Sequence, residues 1–256
     1  MTLILNSMEI KECVQFNAEL IPIIEDAFKS LSLGKTVMPP ILRLDIEKYH
    51  GESDVKAAYI EGLDSFAVKV ASGFFNNPKL GLPSSNGLMI LLDSQTGVIK
   101  SVLLDKGYLT DVRTAIAGAI ASKYLSNPES STVAIIGTGI QARMQLEALT
   151  LVRDIKNVNV WSRDIKKTHA YIEDVSKNIN LNFTAFDNTN EVVNNADILI
   201  TTTPSKKPLV DYSSLPKGIH ITAMGSDAEE KNELEPDIIK NCDVYVPDSQ
   251  AQTSIL

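Results

Sequence analysis

Apolar positions along this chain keep two rhythms, and the change between them divides it. Between Leu20 and Leu33 they return at helical spacing, which predicts an amphipathic helix. Short strand-like runs follow at Ile41–Ile46, Lys56–Ile60, Phe66–Ala71, Leu88–Asp93 and Val98–Leu104. Turn signals stand around and between them at Pro39-Pro40, Gly51-Glu52, Asn76-Asn77-Pro78 and Gly81-Leu82-Pro83. Strands in succession, without intervening helices, predict an antiparallel α+β domain. An Ala-rich helical pattern at Asp111–Tyr124 leads out of it. From about Ser131 the rhythm changes, and helical patterns alternate with apolar β-branched runs at Val133–Gly137, Val158–Trp161, Phe183–Phe186, Ile198–Thr203, Ile219–Met224 and Val244–Val246. Such alternation predicts βαβ units and a Rossmann-type, doubly wound parallel sheet. The expected class is therefore α/β, with an N-terminal α+β domain over 1–124 and the doubly wound domain over 125–256.

The sharpest chemistry lies where the first of these runs breaks into glycine, at Ile136-Gly137-Thr138-Gly139-Ile140-Gln141-Ala142. Gly137 permits a tight turn out of the strand, Gly139 lets backbone amides approach a pyrophosphate, and Ala142 allows close helix-to-strand packing. A G-x-G-x-x-A alone is also compatible with a bare turn. Here it follows an apolar run and precedes Met144, Leu146 and Leu149 at helical spacing, the context a dinucleotide site requires. The next run ends at Ser162-Arg163, where an acidic residue would read NAD. A hydroxyl and a guanidinium favour the 2′-phosphate of NADP(H), with NAD(H) as the alternative if Asp164 turns in to hold the ribose.

Ligands of doubly wound sheets collect at the carboxyl ends of the strands. That rule picks out Thr201-Thr202-Thr203-Pro204 and Met224-Gly225-Ser226-Asp227. Asp227 reads equally as a general acid/base and as a cap of the next turn. In the first half, Arg43 and Lys69 interrupt otherwise apolar runs, and Arg113 opens the Ala-rich helix. Together they read as a pocket for a substrate carboxylate. Taken singly, each is better read as a cation snorkelling to solvent.

Composition sets outer limits. With 256 residues, 44% hydrophobic and 22% charged, the chain can bury a sizeable core, and a net charge of −8 without a basic block argues against nucleic acid or an anionic membrane as partner. The N-terminus lacks a basic segment followed by a long apolar one, and no run reaches the ~18 apolar residues of a membrane span, so a cytoplasmic location is expected. Cys13 and Cys242 are too few and too distant for a disulfide framework and read as small buried apolar residues. His50, His169 and His220 show no ligand spacing, so no metal is expected.

These residues carry a resemblance. Phe66-Ala67-Val68-Lys69-Val70, Leu109-Thr110-Asp111-Val112-Arg113-Thr114-Ala115, the glycine motif from Ile136 to Ala142, and Met224-Gly225-Ser226-Asp227-Ala228-Glu229-Glu230-Lys231-Asn232-Glu233 together resemble the ornithine cyclodeaminase/μ-crystallin family. Val37–Asp45 and Gly62–Phe66 resemble, more narrowly, its branch associated with ectoine and hydroxyectoine utilisation. The resemblance implies a homodimer whose first domain supplies the subunit contact and the pocket for a small amino or imino acid, opening against a nicotinamide held by the second. It places Arg43, Lys69 and Arg113 at the substrate, with Lys69 also near the imine, and Asp227 as general acid/base. Thr114, Gly137, Thr138, Gly139, Ile140, Gln141, Ser162, Arg163, Thr202 and Ser226 would line the dinucleotide. The implied chemistry is hydride exchange at a Cα–N bond, as a cyclodeaminase or a ketimine reductase, with an amino-acid dehydrogenase or a non-catalytic NADP(H)-binding role as alternatives. Members of the family continue beyond the position of Leu256 with a segment that returns to the first domain, so the chain reads as a fragment or a truncated form.

Overall fold

In the computed structural model, which describes residues 2–226 and 230–253, the chain forms two compact units, Met1–Arg113 and Thr114–Leu256. The first is built on a seven-stranded sheet comprising β1 (Leu3–Asn6), β2 (Thr36–Val37), β3 (Leu42–Ile46), β4 (Gly51–Ile60), β5 (Ser65–Phe74), β6 (Ser85–Asp93) and β7 (Ile99–Leu104). The spatial order is β1-β7-β6-β5-β4-β2, with β3 also paired to β4. Every pairing is antiparallel except that of β1 with β7. This edge strand escaped the sequence reading because four residues are too few to show a period. Asn6 ends it and at once caps helix α1 (Ser7–Cys13), its Oδ1 accepting from Met8 N and Glu9 N while Glu9 accepts from Asn6 N at 2.8 Å, a reciprocal capping box. Helix α2 (Leu20–Ser32) follows as the apolar period predicts.

The turn expected at Gly51-Glu52 is instead made by His50, in the left-handed region at φ 48°. Gly51 opens β4 and lies against the ring of Phe74, which a Cβ there would strike. The glycine serves a close approach, which a sequence reading confuses with a turn.

Strand pairing sorts the side chains of this sheet by face. Arg43 lies opposite Asp54, Asp54 opposite Ala71, and Lys56 opposite Lys69, so Arg43, Asp54, Lys56 and Lys69 share one face. Leu42, Leu44, Val55, Val68 and Val70 share the other. Helix α3 (Tyr108–Leu125) begins a turn earlier than its Ala-rich pattern suggests, and the boundary between the two units falls inside it. Buried Asp105 sets its start, accepting from Gly107 N at 3.2 Å and Leu109 N at 2.8 Å.

The second unit has the predicted doubly wound form. Strands β8 (Thr132–Ile136), β9 (Asn157–Trp161), β10 (Asn182–Phe186), β11 (Ile198–Thr201) and β12 (His220–Ala223) are all parallel, in the order β10-β9-β8-β11-β12. Helices α4 (Ile140–Thr150), α5 (Ile165–Val175) and α6 (Thr189–Val192) connect the first four strands, and α7 (Pro236–Lys240) follows the last. Successive residues of β8 enter opposite cores: Val133 and Ile135 pack with Leu146, Leu149, Val160 and Tyr171, while Ala134 and Ile136 pack with Val192, Leu199, Val210 and Ile238. Covering on both faces explains why this strand reads as a continuous apolar run.

Two further expectations fail. Val244–Val246 is not a strand, and all three side chains are exposed, because a run of three residues has no neighbouring strand to complete it. Cys13 and Cys242 are both exposed and unlinked. Among the described residues no helix is long and apolar enough to cross a membrane.

Candidate functional site

The second unit presents its chemistry at the carboxyl end of β8. Gly137 has φ 120°, where an L side chain is strained, and a Cβ there would meet the Thr202 hydroxyl. Its N–H donates to Trp161 O at 2.9 Å, and Thr202 N donates to Ile136 O at 2.9 Å, so the turn is locked between β9 and β11. Gly139 is different. It has an ordinary extended conformation, and among the described residues, its chain neighbours apart, no atom lies within 4 Å of where its Cβ would stand. Among the described residues, nothing in the packing requires a glycine here. Gly139 is also the N-cap of α4 and offers no side chain to the first amides of that helix. An open cradle over a glycine, at an uncapped helix N-terminus after a parallel strand, fits a pyrophosphate. Thr138, Ile140 and Gln141 complete the loop, with Ile140 51% exposed.

Sequence reading overlooked what holds this loop. Arg143 Nη1 donates to Thr138 O at 3.2 Å, its Nε lies 3.3 Å from Asp174, and its guanidinium stacks 4.9 Å over the Tyr171 ring. Tyr171, buried, donates to Ala142 O at 3.1 Å. Burial pushes the Tyr171 pKa up, so it stays a neutral donor. Thr114, on α3, has its carbonyl engaged by Gln145 Nε2 at 3.1 Å.

At the end of β9, Ser162 Oγ donates to Asp164 O at 2.9 Å and lies 2.9 Å from Thr168 Oγ1. The Asp164 carboxylate is already engaged as N-cap of α5, accepting from Lys166 N at 3.0 Å. Arg163 is exposed beside it. At the ends of β11 and β12, Thr202 is half-buried and Ser226 exposed, and Glu233, to which the sequence reading gave no role, bridges the two loops. Asp227 lies outside the described residues.

The first unit carries the charged patch. Lys69, in the middle of β5, faces Lys56 across the strand pair. Burial, then the Arg113 and Lys56 charges, push its pKa down to about 8, against the opposing pull of Asp54 and Asp105. Lys56 is tied to Asp54 at 3.2 Å, and Asp54 Oδ1 is buried without a hydrogen-bond partner. Lys69 and Arg113 thus come together electrostatically. Arg43 stands two strands away, roughly 10 Å by strand spacing, with Nη2 at 2.7 Å from Glu52 and Nε at 3.0 Å from Asp45.

Comparison with known proteins decides the family. The model of the ornithine cyclodeaminase/mu-crystallin family matches residues 1–256. The chain belongs to that family. A cyclodeaminase of Sinorhizobium fredii, itself uncharacterized, is 51% identical over 98% of this chain and 76% of its own length. The Thermococcus litoralis Δ1-pyrroline-2-carboxylate reductase, solved with NADH and L-proline, superposes with a TM-score of 0.86 at 31% identity, covering 91% of this chain and 72% of that one. An archaeal alanine dehydrogenase dimer with bound NAD gives 0.85 at 34% identity, covering 93% and 72%. As a member of the ornithine cyclodeaminase/mu-crystallin family, the chain has the fold of NAD-binding oxidoreductases, as its motifs suggest.

Proposed function

We propose that this chain is a cytoplasmic NAD(P)-dependent enzyme acting at the Cα–N bond of a small amino or α-imino acid, as a ketimine reductase or a cyclodeaminase. The observation that carries the reading is Lys69, its pKa near 8 beside Arg113, with the unpartnered Asp54 Oδ1 close by on the same face. Two cations suit a carboxylate, and a buried acceptor without a donor suits an amine or iminium N–H. Arg43 contributes through its network with Asp45 and Glu52. Asp227, which matches the family's acidic position, is assigned the proton exchange at nitrogen.

The nicotinamide cofactor, when bound, supplies the hydride exchange. The loop from Gly137 to Gln141, with Thr114, Ser162, Arg163, Thr202 and Ser226, would hold it. We favour NADP(H), because Asp164 is occupied as a helix cap and Arg163 is exposed to meet a 2′-phosphate. NAD(H), carried by the solved relatives, is the alternative. Lys69 and Arg113 fix the substrate carboxylate, and Lys69, titrating near neutrality, donates or withdraws a proton beside the nitrogen. The narrower link to ectoine and hydroxyectoine breakdown rests on the Val37–Asp45 and Gly62–Phe66 motifs alone. An amino-acid dehydrogenase is the second reading, favoured by the similarity to alanine dehydrogenase. We also propose a homodimer, supported by the exposed apolar face of the first sheet.

Consumption of NADPH, and separately of NADH, is measured with cyclic imines, and with pyruvate plus ammonia, beside ammonia release from ornithine and other diamino acids. Stoichiometric consumption with a cyclic imine makes the enzyme a reductase, and ammonia release without net cofactor change makes it a cyclodeaminase. Consumption only with pyruvate and ammonia makes it a dehydrogenase. Inactivity of well-folded protein towards all three would overturn the enzymatic reading.

A further inference from the structure

Glu233 is fully buried, at 0% exposure. Each of its oxygens accepts two hydrogen bonds, and the donors come from two separate loops. Oε1 accepts from Thr203 N at 2.5 Å and Thr203 Oγ1 at 2.7 Å, while Oε2 accepts from Thr201 Oγ1 at 2.8 Å and Gly225 N at 2.9 Å. Thr201 ends β11, and Gly225 follows β12. One carboxylate therefore bridges the carboxyl ends of two neighbouring parallel strands. Buried away from water, it is tolerated because these four donors replace its hydration. Gly225 completes the junction, since a Cβ there would collide with Thr203 O and with the Glu233 carboxylate. The loops are thus drawn together around the anion.

In a doubly wound sheet the dinucleotide spans the strand ends across the point where strand order reverses. With the pyrophosphate at the β8–α4 turn and the adenosine end at β9, the nicotinamide end falls to β11 and β12. We propose that Glu233 is a positioning residue for the nicotinamide end of the cofactor, holding the Thr201–Thr203 and Met224–Gly225 loops as one shelf. The inference rests on reading the second unit as a dinucleotide domain. It assigns Glu233 no contact with cofactor or substrate.

The chemistry of the bridge supplies the test. Each oxygen faces one backbone N–H, so a glutamine amide turns its NH2 towards one of them in either orientation. Glu233→Gln keeps size and breaks one side of the bridge. Thr201→Val, at a buried site of matching shape, removes one donor and leaves the rest. The full chain and both variants are titrated with 5′-AMP and 2′,5′-ADP by calorimetry, and with NADPH while the fluorescence of its nicotinamide is followed.

Glu233→Gln is expected to bind the two adenine nucleotides as the wild type does. It should bind NADPH about tenfold more weakly and lose the fluorescence change that an immobilised ring gives. Thr201→Val should move the same signals in the same direction by less, and carries the test if Glu233→Gln does not fold. Unchanged NADPH binding and fluorescence in the folded variants would overturn the proposal. Equal losses for NADPH and the adenine nucleotides would overturn it too, making Glu233 a general support of the unit. A wild type that binds neither kind of nucleotide would bring down the underlying dinucleotide reading instead.

Discussion

Lys69 is destabilising where it stands, which is what a binding residue does before its ligand arrives. Half-buried, opposite Lys56 and close to Arg113, it has its pKa pushed down from 10.5 to about 8, chiefly by desolvation. Below pH 8 the native protein carries the whole cost of that charge. Between pH 8 and 10.5 the unfolded chain binds more protons, so this group's contribution to stability improves as pH rises. Lys69→Met is therefore expected to raise stability at pH 7 by about 1–3 kcal/mol, an advantage that shrinks towards pH 10; denaturant unfolding at the two pH values checks it. A carboxylate ligand has the opposite linkage, since it favours the protonated lysine. Affinity for pyrrole-2-carboxylate, a flat imine mimic, should weaken roughly tenfold between pH 7 and 9.5 in calorimetry, and a flat profile would remove Lys69 from the pocket. Arg163 is argued at the same scale. Arg163→Ala should weaken NADPH binding by about tenfold and leave NADH untouched, since only NADPH carries the phosphate that the fork of donors meets.

At the scale of elements, the two glycines of one loop separate structural need from ligand need. Gly137 has φ 120° and abuts Thr202, so Gly137→Ala should cost about 2 kcal/mol or more in denaturant unfolding. Gly139 has ordinary backbone angles and open space where its Cβ would stand. Gly139→Ala should therefore leave the melting temperature unchanged and weaken dinucleotide binding by about tenfold or more. Equal melting losses in the two variants would contradict the reading of Gly139. This loop was legible in the sequence because its constraint is local: apolar strand, turn glycine, helix period. Glu233 was not, because its role depends on donors from β11 and from the loop after β12, which only folding brings together. Gly51 misled for the same reason, its neighbour Phe74 lying on the adjacent strand. Lys69 and Arg113 stood out as charges in apolar settings, whereas the like charge of Lys56 facing Lys69 required the register of β4 with β5. Pairing distance, more than residue type, separates what could be read in advance from what could not.

For the whole molecule, the distribution of burial is uneven. Among the described residues, the buried apolar side chains of the first unit are Ile10, Ile21 and Val112, while the second unit holds two full cores. The ten residues of β5 include none that is buried, and on the apolar face of the same sheet Leu42 and Leu44 remain 54% and 55% exposed. An aliphatic surface of this kind on a twisted sheet is costly in water and lends itself to association with its own copy, since a two-fold axis lets one patch cover itself. The proposed homodimer accounts for it, and the archaeal alanine dehydrogenase at 34% identity was solved as a dimer. A charge placed on that face should leave the charged patch undisturbed, since Leu44 points away from the face that carries Lys69. Leu44→Glu is expected to shift sedimentation from dimer to monomer, and to abolish the dependence of the melting temperature on protein concentration that a dimer shows. Binding of 2′,5′-ADP should persist in the monomer, because the second unit holds the nucleotide loop with its own core. A variant that still sediments as a dimer would place the subunit contact elsewhere and leave the exposed leucines to another partner.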